Sequence, residues 1–186
     1  MQPFRARHAA CVTDAFHLAR RTMRTSLKLI GLSVSTLALA VVLSAHAAPL
    51  IVYNPSPSVP VGFYWRGAGT PRIGDLVSVP AVIAAPDFAR ARGFTDRTDR
   101  FIKRIAATSG QVVCAHGDQV SIDGVRVVDR LPQDKMGRTL PSWSGCKKLA
   151  AGYVFLLGDT ADSFDSRYWG PVSLRVVDGP WRPLRA

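Results

Sequence analysis

The chain is poor in the residues from which most hydrolytic and metal chemistry is built. Its 186 residues include four histidines and three cysteines, and beyond residue 50 the only imidazole is His116. A histidine base for a serine or cysteine nucleophile is therefore poorly supplied. Cys114-Ala115-His116 is half of a metal-ligand pattern with no second closely spaced pair, so neither a metal nor a cofactor is expected. The basic residues form no basic helix and do not interleave with aromatics, which argues against nucleic acid as a partner. There is no internal repeat and no low-complexity tract, and the length suits one domain plus an appendage.

Charge is missing where its absence is most informative. No Asp, Glu, Lys or Arg lies between Lys28 and Arg66, and Leu29 to Ala45 runs 17 residues without a charge. As a helix that run spans about 26 Å, and extending it toward residue 50 covers a bilayer core of roughly 30 Å. The net charge of +11 divides around it: residues 1–28 carry +5, and the rest of the chain carries +6 with its arginines dispersed among aspartates. A basic flank orients a span with that flank in the cytoplasm. The expected organisation is a basic cytoplasmic segment over 1–28, a transmembrane signal anchor over 29–50, and an exported domain over 51–186. A cleaved signal peptide competes with the anchor, since Ala45-His46-Ala47 has small-x-small spacing and Met23 could begin an ordinary basic leader.

Beyond the apolar run the chain reads as short strands between Gly- and Pro-rich turns. A turn leads into a strand over Ile73 to Pro80, and Ala81 to Ala91 is the one plausible helix, interrupted by Pro86. Val120 to Val127 is a hairpin turning on Asp123-Gly124, Leu131 to Leu149 reads as irregular, Tyr153 to Leu157 as a buried strand, and Val172 to Val177 as the closing element. The fold expected is mainly β with a small core. Cys114 and Cys146, both past the apolar run, read either as a disulfide in an oxidising compartment or as two buried thiols.

Three stretches could carry chemistry. Asn54-Pro55-Ser56-Pro57-Ser58-Val59-Pro60 sets two hydroxyls between three prolines, which makes a stiff loop. It reads as a linker or as a loop presenting a nucleophile. In Phe101-Ile102-Lys103-Arg104-Ile105, strand alternation puts Lys103 on the face of Phe101 and Ile105 and Arg104 on the other. Among apolar neighbours Lys103 either carries its amine to the strand edge or loses hydration and becomes a base, which arginine could not. Ser163-Phe164-Asp165-Ser166-Arg167-Tyr168-Trp169-Gly170 reads by itself as a polar turn with an internal Asp165–Arg167 pair.

In order and content these stretches resemble the serine-lysine signal peptidases, most closely the TraF-type conjugative-transfer branch, with Gly74-Asp75-Leu76-Val77 as a fourth, weaker box. The resemblance covers the chain after residue 50 and implies a signal-peptidase-like β catalytic domain behind one N-terminal transmembrane helix. It implies Ser58 as nucleophile and Lys103 as general base. Ser56 would help hold the oxyanion, Ser163 would orient the lysine, and Asp165 and Arg167 would brace the site. Gly110-Gln111 stands where relatives carry Gly-Asp, and Thr95 to Arg100 replaces a cysteine-containing turn. The implied function is a periplasm-facing endopeptidase in the bacterial inner membrane that cuts exported precursors, conjugative pilins or transfer components, after small residues. In some relatives the cut is coupled to pilin cyclisation. The rival expectations are a general signal peptidase and an inactive membrane-anchored assembly factor of a secretion system. The partners implied are precursor polypeptides and the lipid bilayer, with the oligomeric state left open.

Overall fold

The computed structural model describes Ser35, residues 49–94 and residues 99–184. Among these no helix is long and apolar enough to cross a membrane. The expected span over 29–50 and the Ala45-His46-Ala47 motif lie outside the described residues, apart from Ser35, Pro49 and Leu50. From Pro49 onward the chain forms one compact unit.

Eleven strands arise among the described residues: β1 (Ile51–Asn54), β2 (Gly62–Arg66), β3 (Leu76–Pro80), β4 (Arg100–Ala107), β5 (Val112–His116), β6 (Gln119–Ile122), β7 (Val125–Asp129), β8 (Gly145–Lys148), β9 (Tyr153–Leu157), β10 (Val172–Ser173) and β11 (Asp178–Pro183). They build a seven-stranded sheet in the order β1-β2-β11-β3-β4-β9-β10 and a four-stranded sheet in the order β7-β6-β5-β8. The mainly β expectation is met.

The sheets join through β9. Its consecutive apolar residues, which alternation alone cannot assign to a face, serve two cores because the strand is covered on both sides. Phe155 and Leu157 pack with Val113, Ala115, Val120 and Ile122 of the four-stranded sheet. Val154 and Leu156 pack instead with Val77, Val79 and Ile105. A third cluster, Val59, Tyr64, Leu76, Ile102 and Trp181, fills the other face of β3 and β4.

The expected hairpin forms on β6 and β7, and Asp123 and Gly124 take φ of 50° and 81°, the positive values that a two-residue hairpin turn needs. Other expectations need correction. The single helix over Ala81 to Ala91 is two short ones, α1 (Ala81–Ala84) and α2 (Pro86–Ala91), because Ala85 leaves the helical region at φ −148° and ψ 74° and Pro86 sits in the first turn of the second, where its missing N–H costs nothing. The stretch 131–149 is not wholly irregular, since its end is β8, paired to β5. Val172 to Val177 is a two-residue strand and a 3-10 turn, and the strand that closes the chain is β11, inserted between β2 and β3. Its Gly-Pro-Trp-Arg-Pro content hides a strand, because proline removes ladder donors.

Candidate active site

The Ser-Pro loop is the connection between β1 and β2, a hairpin whose strands pair from Ile51↔Trp65 to Asn54↔Gly62. Asn54, 4 % exposed, ties the loop from inside. Its amide nitrogen donates to the carbonyls of Ser56, Val59 and Pro60 at 2.7, 3.0 and 3.1 Å, while its side-chain oxygen accepts from the Ser56 N–H at 3.2 Å. Val59 is fully buried, and the Tyr64 hydroxyl donates to the Pro60 carbonyl. The loop is therefore a rigid arch within a hairpin rather than a linker.

The arch sets Ser58 against β4. Lys103 Nζ lies 2.6 Å from Ser58 Oγ, and both residues are buried, at 3 % and 7 % exposure. Strand pairing explains the lysine's surroundings. Val77 is opposite Lys103 and Val79 opposite Phe101, so the face holding the amine is apolar as expected. Lys103 does not reach out to water. Burial is the largest influence on it and lowers its pKa from an ordinary 10.5 to about 8; Asp165 opposes this and Arg167 reinforces it. At pH 7 such an amine is about one-tenth neutral.

Ser56 touches Ser58 twice. Its hydroxyl donates to Ser58 Oγ at 3.1 Å and accepts from the Ser58 N–H at 3.3 Å. One hydroxyl and one backbone N–H are thus adjacent to Ser58 Oγ, a pair of donors of the kind that receives a carbonyl oxygen when it becomes an oxyanion.

Asp165 and Arg167 form the bracing pair, 0 % and 1 % exposed. Arg167 donates through Nε and a terminal nitrogen to the two carboxylate oxygens, each at 2.8 Å. Asp165 also accepts from the backbone of Gly158 at 2.8 Å and of Arg167 at 3.1 Å, while the remaining guanidinium hydrogens reach the carbonyls of Thr160, Ala161 and Asp129. The pair fixes the turn 158–165 that runs past Ser58. Ser163 lies on that turn and is buried, but its hydroxyl has no hydrogen-bond partner among the described residues, so the implied bond to Lys103 is not made in this structure. The amine is engaged by Ser58 instead. Ser163 is pressed against Gly158, where an added Cβ would sit 2.0 Å from its Oγ and 2.8 Å from the Ser58 carbonyl oxygen.

Sequence reasoning missed two contributors. Arg104, on the face away from Lys103, donates to both oxygens of Asp159 at 3.0 and 2.9 Å and to the Gly74 carbonyl at 2.8 Å. Asp159 in turn donates its N–H to the Ser58 carbonyl at 2.6 Å. The adjacency of Arg104 to Lys103 and of Asp159 to Gly158 was the available signal. The second is an aromatic wall. Phe88 from α2 stacks on Phe164 with ring centres 3.6 Å apart, and Phe101 stacks on Trp169 at 5.0 Å. With Ser56, Ser58, Lys103 and Ser163, the rings of Phe88, Phe101 and Phe164 line a hollow of about 540 Å³ that opens onto Ser58. Nothing in their spacing announced a shared wall, because they come from three separated segments.

Cys114 and Cys146 form a disulfide across the facing strands β5 and β8, with Cα atoms 4.0 Å apart, which resolves the choice left open by the sequence.

Residues 23–182 match the family described as signal peptidase, peptidase S26. A probable conjugal transfer protein TraF of Sinorhizobium fredii is 33 % identical over 174 residues, 87 % of this chain and 91 % of that protein. A plasmid transfer protein TraF of Escherichia coli is 31 % identical over 142 residues, 70 % of this chain and 80 % of the relative. A probable thylakoidal processing peptidase of Arabidopsis thaliana is 31 % identical over 121 residues, 64 % of this chain but 29 % of that longer protein. On the length and extent of these matches, the chain belongs to the signal peptidase family, peptidase S26.

Proposed function

We propose that the chain is a membrane-anchored serine endopeptidase that cleaves exported precursors by a Ser58–Lys103 dyad. The observation that carries this is the buried 2.6 Å contact between Lys103 Nζ and Ser58 Oγ. A neutral amine there accepts the hydroxyl proton as Oγ attacks the carbonyl, which serine at its own pKa could not do unaided. The developing oxyanion is received by the Ser58 N–H and the Ser56 hydroxyl, donors of a kind worth about 3 kcal/mol each. The lysine then returns its proton to the departing amine, leaving an acyl-enzyme. Attack by water completes hydrolysis, and attack by a precursor's own amino terminus closes a ring, so the same intermediate serves cleavage and pilin cyclisation.

The relatives named for plasmid and conjugal transfer support a conjugative pilin precursor or another transfer-system protein as substrate. The anchor reading over 29–50, with 1–28 cytoplasmic and 51–186 periplasmic, gains support from the exposed apolar face of the first hairpin. Ile51 lies opposite Trp65 and Tyr53 opposite Phe63, each 47–58 % exposed, immediately after the uncharged run. Contiguous apolar surface of this kind suits a protein working against a bilayer.

The test is processing of a pilin precursor by the full chain in membranes. Ser58→Ala and Lys103→Met each reduce cleavage by about four orders of magnitude or more if the dyad operates. Undiminished processing in both variants would instead identify an assembly factor, and equal cleavage of unrelated exported precursors would identify a general signal peptidase.

A further inference from the structure

The strands that hold the disulfide set a third soft donor beside it. Cys114 faces Cys146 across the β5–β8 ladder, and His116, two residues along β5, shares the face of Cys114. His116 Nε2 is 3.8 Å from Cys146 Sγ, and one ligand atom from each of the three residues falls within 4.8 Å of the others. The alternate residues Val113 and Ala115 are fully buried on the opposite face, so the strand directs its apolar side into the core and its donors outward. His116 and Cys146 are exposed, within reach of a reductant or an ion. None of the three lines the hollow beside Ser58. The half-pattern Cys114-Ala115-His116 is completed from a strand 30 residues away, a complement that no spacing along the chain could reveal.

The disulfide state and a metal-bound dithiolate would exclude one another. As a disulfide the sulfurs offer a cation no negative charge. A dithiol carrier changes that by exchange: the two protein sulfurs take up two electrons and two protons, and the carrier's two thiols become a disulfide. A tetrahedral ion with ligands at about 2.0–2.3 Å holds its ligand atoms about 3.3–3.8 Å apart. The His116–Cys146 separation already meets that spacing. The two sulfurs must part and Cys114 Sγ must reach the same spacing from His116, starting from atoms that all lie within 4.8 Å of one another. Binding releases the two thiol protons, the two thiolates neutralise a divalent ion, the imidazole adds a neutral ligand, and water completes the shell.

We propose that reduced Cys114, Cys146 and His116 form a site for Zn²⁺ or a similarly thiophilic cation, mutually exclusive with the disulfide. The proposal is independent of the peptidase reading. The experiment uses the full chain carrying Cys11→Ser, reduced with a phosphine and titrated with Co²⁺. The result expected is one Co²⁺ per chain, a thiolate-to-cobalt charge-transfer band, and displacement by Zn²⁺. The unreduced chain gives no band. His116→Ala, which folds as the parent does in the oxidised state, weakens binding at least tenfold, and Cys146→Ser weakens it more than a hundredfold. Binding that is equal in the unreduced chain, undiminished by His116→Ala, or absent at micromolar metal overturns the proposal. So does loss of the far-ultraviolet strand signal on reduction, because the facing strands would then no longer exist to assemble the donors.

Discussion

The two sheets bury different materials. The four-stranded sheet packs Val113, Ala115, Val120 and Ile122 inward and leaves the charges of its strands outside, while the buried Arg130 that follows β7 donates to the Trp143 and Gly117 carbonyls. The seven-stranded sheet has comparable apolar clusters on both faces, yet it and its connecting loops also enclose Asn54, Ser58, Ser78, Lys103, Ser163, Asp165 and Arg167. Burying a polar group costs stability unless it is paired, and burying an unpaired charge costs far more. One sheet therefore follows the ordinary logic of a core. The other keeps groups that no stability criterion would select, and the chemistry proposed for Ser58 and Lys103 needs that dryness.

The sharpest way to break the contrast is to remove half of the buried Asp165–Arg167 pair. Arg167→Ala leaves Asp165 enclosed with only backbone partners and frees the carbonyls of Thr160 and Ala161. A loss of about 3–5 kcal/mol is expected in urea unfolding. A loss under about 1 kcal/mol, the size of an ordinary surface pair, would mean that the turn 158–165 is held by something other than the pair. On the other sheet the corresponding lesion is Cys146→Ser. It reopens a loop closed by cysteines 32 residues apart, for which chain entropy gives about 3–4 kcal/mol. The two lesions are similar in size but act differently: the first acts on the folded state and the second mainly on the unfolded one.

The next test has the opposite sign. Lys103 has its pKa lowered from 10.5 to about 8 on folding. Below pH 8 it is charged in both states, and the folded state bears the full penalty, about 3 kcal/mol for a shift of this size. As pH rises from 8 toward 10.5 the folded protein releases its proton before the unfolded chain does, so the penalty fades and stability increases. Lys103→Met should accordingly stabilise the protein by up to about 3 kcal/mol at pH 7, abolish that rise with pH, and remove activity. In the parent, kcat/KM should climb between about pH 6 and 9 with its half-height near 8, because the neutral amine is the working form. A destabilised Lys103→Met variant would show that the lysine is held for structure.

Much of this was legible because each chemical stretch is local. Ser58 stands in a proline-bounded loop, Lys103 on an alternating strand, and Asp165–Arg167 within one turn, so residue type and short spacing sufficed. The resemblance supplied their roles, and the fold brought them together. The parts that stayed hidden are non-local. β11 looked unlike a strand because two prolines occupy it, β8 is four residues of Gly-Cys-Lys-Lys without apolar alternation, and the stacked rings of Phe88 and Phe164 lie far apart in the chain. Nothing along the chain marks Asn54 out from the loop it begins, although its side chain organises the whole arch.

The smallest effect concerns Ser163, whose buried hydroxyl has no hydrogen-bond partner among the described residues. An orphaned hydroxyl contributes no hydrogen bond to the resting fold, so Ser163→Ala should leave unfolding free energy unchanged or raise it by about 1 kcal/mol. It lies on the turn beside Ser58 and lines the hollow with Lys103, where the proposed chemistry would give it a different use. If the proposed dyad operates, Lys103 loses during reaction the hydroxyl that engages it at rest, and the role the resemblance implies for Ser163 is to accept from the ammonium that forms. The variant should then lose about tenfold in kcat with little change in KM, the mark of an interaction made only as the reaction proceeds. Unchanged kcat would leave Ser163 as packing against Gly158, and the contrast between the two sheets would lose one of its members.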